Sequence, residues 1–125
     1  MNNEILVTKL FTFEAAHRLP KHEGKCARLH GHSYKLEVTI GGTPKDTGSE
    51  EGMVMDFAEL SRIVGEEVIQ PFDHQFLNDL FDFPTTVEML TQEIGRRISS
   101  RNIPLREITL WETATCKATI RYHAQ

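Results

Sequence analysis

The stretch Cys26-Ala27-Arg28-Leu29-His30-Gly31-His32 sets a thiol just ahead of two imidazoles separated by one glycine. On a β-strand, residues i and i+2 share a face, so His30 and His32 can hold one ion together. Gly31 carries no side chain, which lets a ligand or a second backbone approach closely. His17, after the strand-like run 6–13, can supply a third imidazole. Three neutral imidazoles leave one tetrahedral position of Zn²⁺ open, the arrangement of a catalytic rather than a structural zinc. Cys26 has two readings: a fourth, thiolate ligand that closes the site, or a nucleophile or base beside an open one. The open site is favoured, because this pattern of helices and strands needs no metal staple to fold.

Other groups can do chemistry as well. Asp73-His74 is either an ordinary loop pair or a carboxylate that orients an imidazole for proton relay. If Cys26 lies nearby in space, His74 can help to generate the reactive thiolate. Glu112, between Trp111 and Thr113, either faces solvent or grips the N–H edge of a guanidine-like heterocycle through two parallel hydrogen bonds. Arg18, Lys21, Lys25 and Arg28 concentrate positive charge within the metal-bearing segment. They form either a solvated loop or a landing site for an anionic substrate such as a phosphate ester. His22 and His123 lack partners and read as surface residues. Cys116 falls in a predicted strand and reads as a small buried apolar residue.

These groups need a scaffold. Residues 4–13 alternate as a strand with Ile5, Val7, Leu10 and Phe11 turned inward, and 32–40 alternate as a second strand. Asp56 is the expected N-cap of a helix whose stripe is Phe57, Leu60, Ile63, Val64 and Val68, ending before Pro71. Residues 72–83 read as loop or short helix. Thr85 and Glu88 match a capping box ahead of a second helix with the stripe Val87, Leu90, Ile94 and Ile98. After Pro104, two more strands are expected at about 106–112 and 116–123. The order β-β-α-α-β-β predicts an α+β domain: a four-stranded antiparallel sheet covered on one face by two helices. The uncovered face and open edges predict oligomerisation through the sheet.

The chain has 125 residues, enough for one domain, 1–125, with a real core. Its 39% hydrophobic and 26% charged content is that of a globular protein, not a disordered one. A net charge of −4 argues against nonspecific nucleic-acid binding. No apolar run approaches the roughly 20 residues that span a bilayer. Met1-Asn2-Asn3-Glu4 lacks the features of a signal peptide. Free thiols and a cytoplasmic location are therefore expected.

Along nearly its whole length the chain resembles the 6-pyruvoyltetrahydropterin synthase superfamily. The matching segments are Phe13-Glu14-Ala15-Ala16-His17-Arg18-Leu19, Cys26-x3-His30-Gly31-His32-Ser33-Tyr34, Gly52-Met53-Val54-Met55-Asp56-Phe57, Asp73-His74-Gln75-Phe76-Leu77-Asn78 and Glu112-Thr113. The three-residue gap between Cys26 and His30 is similar to that of the bacterial 6-carboxy-5,6,7,8-tetrahydropterin synthases of the queuosine pathway. The resemblance implies the tunnelling fold, in which subunits join their sheets into a barrel and stack as a dimer of trimers. It implies a zinc lyase that converts 7,8-dihydroneopterin triphosphate to 6-carboxytetrahydropterin, releasing acetaldehyde and triphosphate. The alternative within the fold is a 6-pyruvoyltetrahydropterin synthase, which only eliminates triphosphate.

By position, the resemblance implies zinc ligands His17, His30 and His32, proton acceptor Cys26 with Asp73 and His74 as its relay, and Glu112 as pterin anchor and further member of the proton relay. Independently of the matching motifs, the basic cluster Arg18, Lys21, Lys25 and Arg28 is expected, by its charge, to meet the triphosphate. One departure touches Thr86 and Glu88, the implied pterin contacts. The family shows P-T-x-E-N before the second helix, whereas Pro84-Thr85-Thr86-Val87-Glu88-Met89 has one extra residue and Met in place of Asn. The capping-box reading competes with that alignment. Two other classes stay open: a metal-free cysteine hydrolase using Cys26, His74 and Asp73, and a non-enzymatic zinc-stabilised binding module.

Overall fold

A computed structural model describes residues 3–123. β1 (Ile5–His17) and β2 (His30–Gly42) pair antiparallel along their full length, from Ile5 opposite Gly42 to His17 opposite His30. β4 (Leu105–Trp111) and β5 (Lys117–Arg121) continue the sheet beyond β2. A two-residue strand, β3 (Gln75–Phe76), runs parallel to β1 at Ala15 and Ala16. The sheet thus has five strands in the order β3-β1-β2-β4-β5, one more than expected. So short a strand has no periodicity to read. It is pinned by tertiary bonds instead: the His74 N–H donates to the Glu14 carbonyl, and the Asp73 carboxylate accepts the Glu14 N–H.

Strand alternation turns Phe13, Ala15, Tyr34, Leu36, Val38 and Ile40 onto a buried face under the helices. Val7 and Phe11 pack against that core as expected. Leu10 does not: a period of two cannot put it on the face of Phe11, and it is 55% exposed. Ile5 keeps the inward register but, at the strand's first position, remains exposed.

Asp56 caps α1 (Phe57–Val64) by accepting the Ala58 N–H at 2.8 Å. Leu60, Ile63, Val64 and Val68 are buried, whereas Phe57, at the helix start, is exposed. The helix does not stop ahead of Pro71. It continues through a π-helical segment, Gly65–Ile69, into α2 (Gln70–Phe72). Proline cannot donate to the carbonyl four residues back and crowds it. Here the Gln70 N–H reaches back to the Gly65 carbonyl. The Glu67 carbonyl that Pro71 leaves without its helical donor accepts Arg97 Nη1 at 3.2 Å. Arg97 also lies over the Phe72 and Phe81 rings and pairs with Glu93, so the irregular turn is tied to the next long helix.

α3 (Leu77–Leu80) and α4 (Val87–Ser99) complete the helical layer. The cap of α4 is Thr86, which accepts the Met89 N–H at 3.2 Å, and the expected Thr85–Glu88 box does not form. Thr85 is fully buried elsewhere, and Glu88 is exposed. Within α4, a Cβ on Gly95 would run into the Tyr122 hydroxyl, so a larger residue there requires the tyrosine ring to shift. Cys116 lies before β5 and is exposed, not buried. The result is an α+β fold with helices on one face of an open sheet. Among the described residues, no helix is long and apolar enough to cross a membrane.

Candidate metal centre

His17 is the last residue of β1 and His30, directly opposite, the first of β2. His32, two residues on, returns to the same face. The three rings meet at the end of the buried face, with centroids 4.6 Å (His17–His30), 5.1 Å (His17–His32) and 4.9 Å (His30–His32) apart. One nitrogen from each lies within 4.8 Å of the others, close enough to hold one metal ion.

Backbone carbonyls fix two of the tautomers. His17 Nδ1 is 2.8 Å from the Thr85 carbonyl, and His30 Nδ1 is 2.7 Å from the Arg28 carbonyl. A carbonyl only accepts, so both Nδ1 atoms carry the proton and both Nε2 lone pairs are free. Among the described residues, the buried Nε2 atoms of His17 and His32 have no hydrogen-bond partner. Buried polar atoms without partners are unfavourable unless a cation joins them. The Glu112 carboxylate stands 3.8 Å from His17 Nε2 and adds negative charge at the rim. The donor set therefore fits a divalent metal of the imidazole-binding kind.

Burial holds His17 and His32 below the ordinary histidine value of 6.5. The Thr85 hydrogen bond and Glu112 oppose the shift at His17, and Glu112 opposes it at His32. In the unfolded chain both titrate near their ordinary value. As pH falls below about 6.5 the unfolded state binds the extra protons first, and native stability declines until the lower native values are passed. The unfolding midpoint of metal-free protein should therefore drop between pH 7.5 and 5.5, and drop less in His32→Asn. Equal slopes for the two proteins in thermal melts would count against the burial argument.

Cys26 sits in a single 3₁₀ turn, Lys25–Ala27, half-buried, and its carbonyl accepts the Leu19 N–H at 2.8 Å. The three-residue spacing to His30 spans that turn plus extended Arg28, whose carbonyl holds the His30 ring. Arg18, Lys21, Lys25 and Arg28 are all exposed around this loop.

Asp73 and His74 lie elsewhere. One Asp73 oxygen accepts the Glu14 N–H at 2.9 Å and the other is 3.1 Å from His74 Nδ1. The Glu14 N–H and then His74 hold the Asp73 carboxyl below the usual carboxylate range. His74 is 79% exposed and adopts φ +60°, the left-handed region that a non-glycine residue seldom enters. It lines a cleft with Glu14, Ser33 and His32 where β1, β2 and β3 meet. Among the described residues no hydrogen bond joins Cys26 to Asp73 or His74. A Cβ on Gly31 would meet the Ala15 carbonyl at an ordinary 3.5 Å, so packing within the chain does not require glycine there.

Thr86 is engaged by its cap, and Glu88 projects from the first turn of α4. Sequence reasoning missed Thr85, the carbonyl partner of His17, because a threonine beside a helix start reads as a cap. It also gave no role to Tyr34, on the histidine face and stacked on Phe13 at 4.9 Å. The Tyr34 hydroxyl is buried without a partner among the described residues, and burial, then Glu112, makes it a weaker acid than usual.

The family model described as 6-pyruvoyl tetrahydropterin synthase matches residues 6–123. A 6-carboxy-5,6,7,8-tetrahydropterin synthase of Synechocystis sp. is 41% identical over 116 residues, covering 90% of this chain and 90% of that protein. The enzyme of the same name from Haemophilus influenzae is 34% identical over 131 residues, covering 87% of this chain and 93% of its own. The solved structure of Caenorhabditis elegans 6-pyruvoyl tetrahydropterin synthase superposes with a TM-score of 0.84 at 25% identity, covering 97% of each chain.

Proposed function

The chain belongs to the 6-pyruvoyl tetrahydropterin synthase family, and on that premise we propose that it is a zinc-dependent 6-carboxytetrahydropterin synthase. Its substrate would be 7,8-dihydroneopterin triphosphate, its products 6-carboxy-5,6,7,8-tetrahydropterin, acetaldehyde and triphosphate, and its pathway queuosine biosynthesis. The observation that carries the reading is the pair of buried, partnerless Nε2 atoms of His17 and His32 converging with His30 beside the Glu112 carboxylate. His17, His30 and His32 would hold the metal. When bound, Zn²⁺ supplies Lewis-acid chemistry, acidifying the side-chain hydroxyls and stabilising enediol-like charge.

The remaining steps belong to the chain's own groups. The Cys26 thiolate accepts a carbon-bound proton from the substrate side chain. Asp73 orients His74 through Nδ1, leaving Nε2 to pass that proton on. With no hydrogen bond joining these groups within one chain, the relay would be completed by another copy, in keeping with a homo-oligomer arranged as a dimer of trimers. The open sheet face, the edge of β1 ahead of its pairing with β3 and the edge of β5 would supply surfaces for that barrel. Glu112 would anchor the pterin ring, with Thr86 and Glu88 as further contacts. Arg18, Lys25 and Arg28 would meet the triphosphate. The reading takes residues 1–125 as a single catalytic domain working in the cytoplasm on a small molecule.

The rival is 6-pyruvoyltetrahydropterin synthesis, the activity in the name of the C. elegans protein. Product analysis separates the two. Zinc-loaded protein given 7,8-dihydroneopterin triphosphate should release acetaldehyde stoichiometrically with 6-carboxytetrahydropterin. Triphosphate without acetaldehyde would establish the rival.

A further inference from the structure

β1 ends at His17, and β3 covers it only at Ala15 and Ala16, so Arg18 is the first residue whose backbone has no strand partner there. Asn78, in α3, fills that place. Its Oδ1 accepts the Arg18 N–H at 2.9 Å, and its Nδ2 donates to the Arg18 carbonyl at 2.9 Å. One side-chain amide thus imitates a β-bridge and holds the chain just past the buried histidine.

The same amide has two further reaches. Thr85 Oγ1 donates to Asn78 Oδ1 at 3.5 Å, and the Thr85 carbonyl is the group that fixes His17 Nδ1. In the other direction, Leu19 follows Arg18 directly, and its N–H bonds to the carbonyl of Cys26. Asn78 therefore touches the partner of the His17 ring on one side and the foot of the Cys26 loop on the other. We propose that Asn78 is the positioning residue that holds both the His17 imidazole and the Cys26 thiol in place. The proposal rests on the metal-centre reading for its first half and on the loop geometry alone for its second.

Two measurements read the halves separately, in a Cys116→Ser background so that Cys26 is the sole thiol. Asn78→Asp keeps shape and one acceptor but turns a carboxylate oxygen toward the Arg18 carbonyl. It should weaken zinc binding, read by chelator competition, by about tenfold, as loss of outer support for metal-bound histidines does. It should also speed alkylation of Cys26 in metal-free protein as the loop loosens. Asn78→Ala should do both more strongly. Val68→Ala, a core truncation remote from these bonds, controls for lost stability and should change neither readout in folded protein.

Zinc affinity and alkylation rate equal to the parent in Asn78→Asp would overturn the proposal. So would Asn78→Asp failing to fold, or Val68→Ala reproducing both changes, since the residue would then be structural only. If the parent itself binds no zinc, the metal reading fails, and the alkylation comparison still decides whether Asn78 sets the thiol.

Discussion

Stripping zinc from the protein, or replacing His17 with asparagine, is expected to slow turnover of 7,8-dihydroneopterin triphosphate by about a thousandfold or more. His17 is the deepest of the three histidines, 1% exposed, with its Nδ1 committed to the Thr85 carbonyl. Its Nε2 faces the other two imidazoles and the Glu112 carboxylate. Asparagine lacks the reach to present a donor at that point, so the variant should lose metal affinity as well as rate. The two losses should differ in reversibility. Adding zinc back to stripped wild-type protein should restore activity, whereas stoichiometric zinc should not rescue His17→Asn. Metal content by mass spectrometry, measured beside initial rates, checks both. Full activity in the chelated protein would instead favour metal-free thiol chemistry by Cys26, and the lyase reading would be lost.

The site was legible in the sequence where its geometry is local. Period-two alternation alone places His30 and His32 on one face, and antiparallel pairing brings the last residue of β1 to the first of β2. The opposition of His17 and His30 needs only two strands joined by a loop. The α+β order and most of the buried helix positions follow from periodicity in the same way.

What escaped is what depends on contacts between distant segments. β3 exists because Asp73 and His74 bind the backbone of Glu14, fifty-nine residues from Asp73 in sequence. Pro71 reads as a helix stop because the missing donor is visible in sequence and the compensating Arg97 is not. Thr85 and Thr86 look alike to any capping rule. Burial beneath His17 takes the first and leaves the cap to the second. Asp73-His74 also looked like a partner for Cys26, whereas the fold bonds it to the backbone of Glu14 at the β1 edge.

Cys26→Ala should retain zinc at wild-type stoichiometry and lose about a thousandfold in turnover, within the range that a positioned base contributes. The retention follows from composition of the cluster. Among the described His, Cys, Asp and Glu groups, only His17, His30 and His32 bring ligand atoms together, and the Cys26 sulfur is not one of them. If Cys26 were the fourth ligand, the same variant would shed its metal, and a structural zinc module would be the better description. His74→Ala should also keep zinc, with a loss of about a hundredfold. Each variant alone leaves one half of the relay in every chain. If the halves come from different copies, co-refolding Cys26→Ala with His74→Ala should recover part of the wild-type rate, because some junctions then pair an intact thiol with an intact imidazole. If both halves had to come from one chain, no mixture could recover activity. Because no hydrogen bond joins Cys26 to Asp73 or His74 within one chain among the described residues, recovery is the expected result.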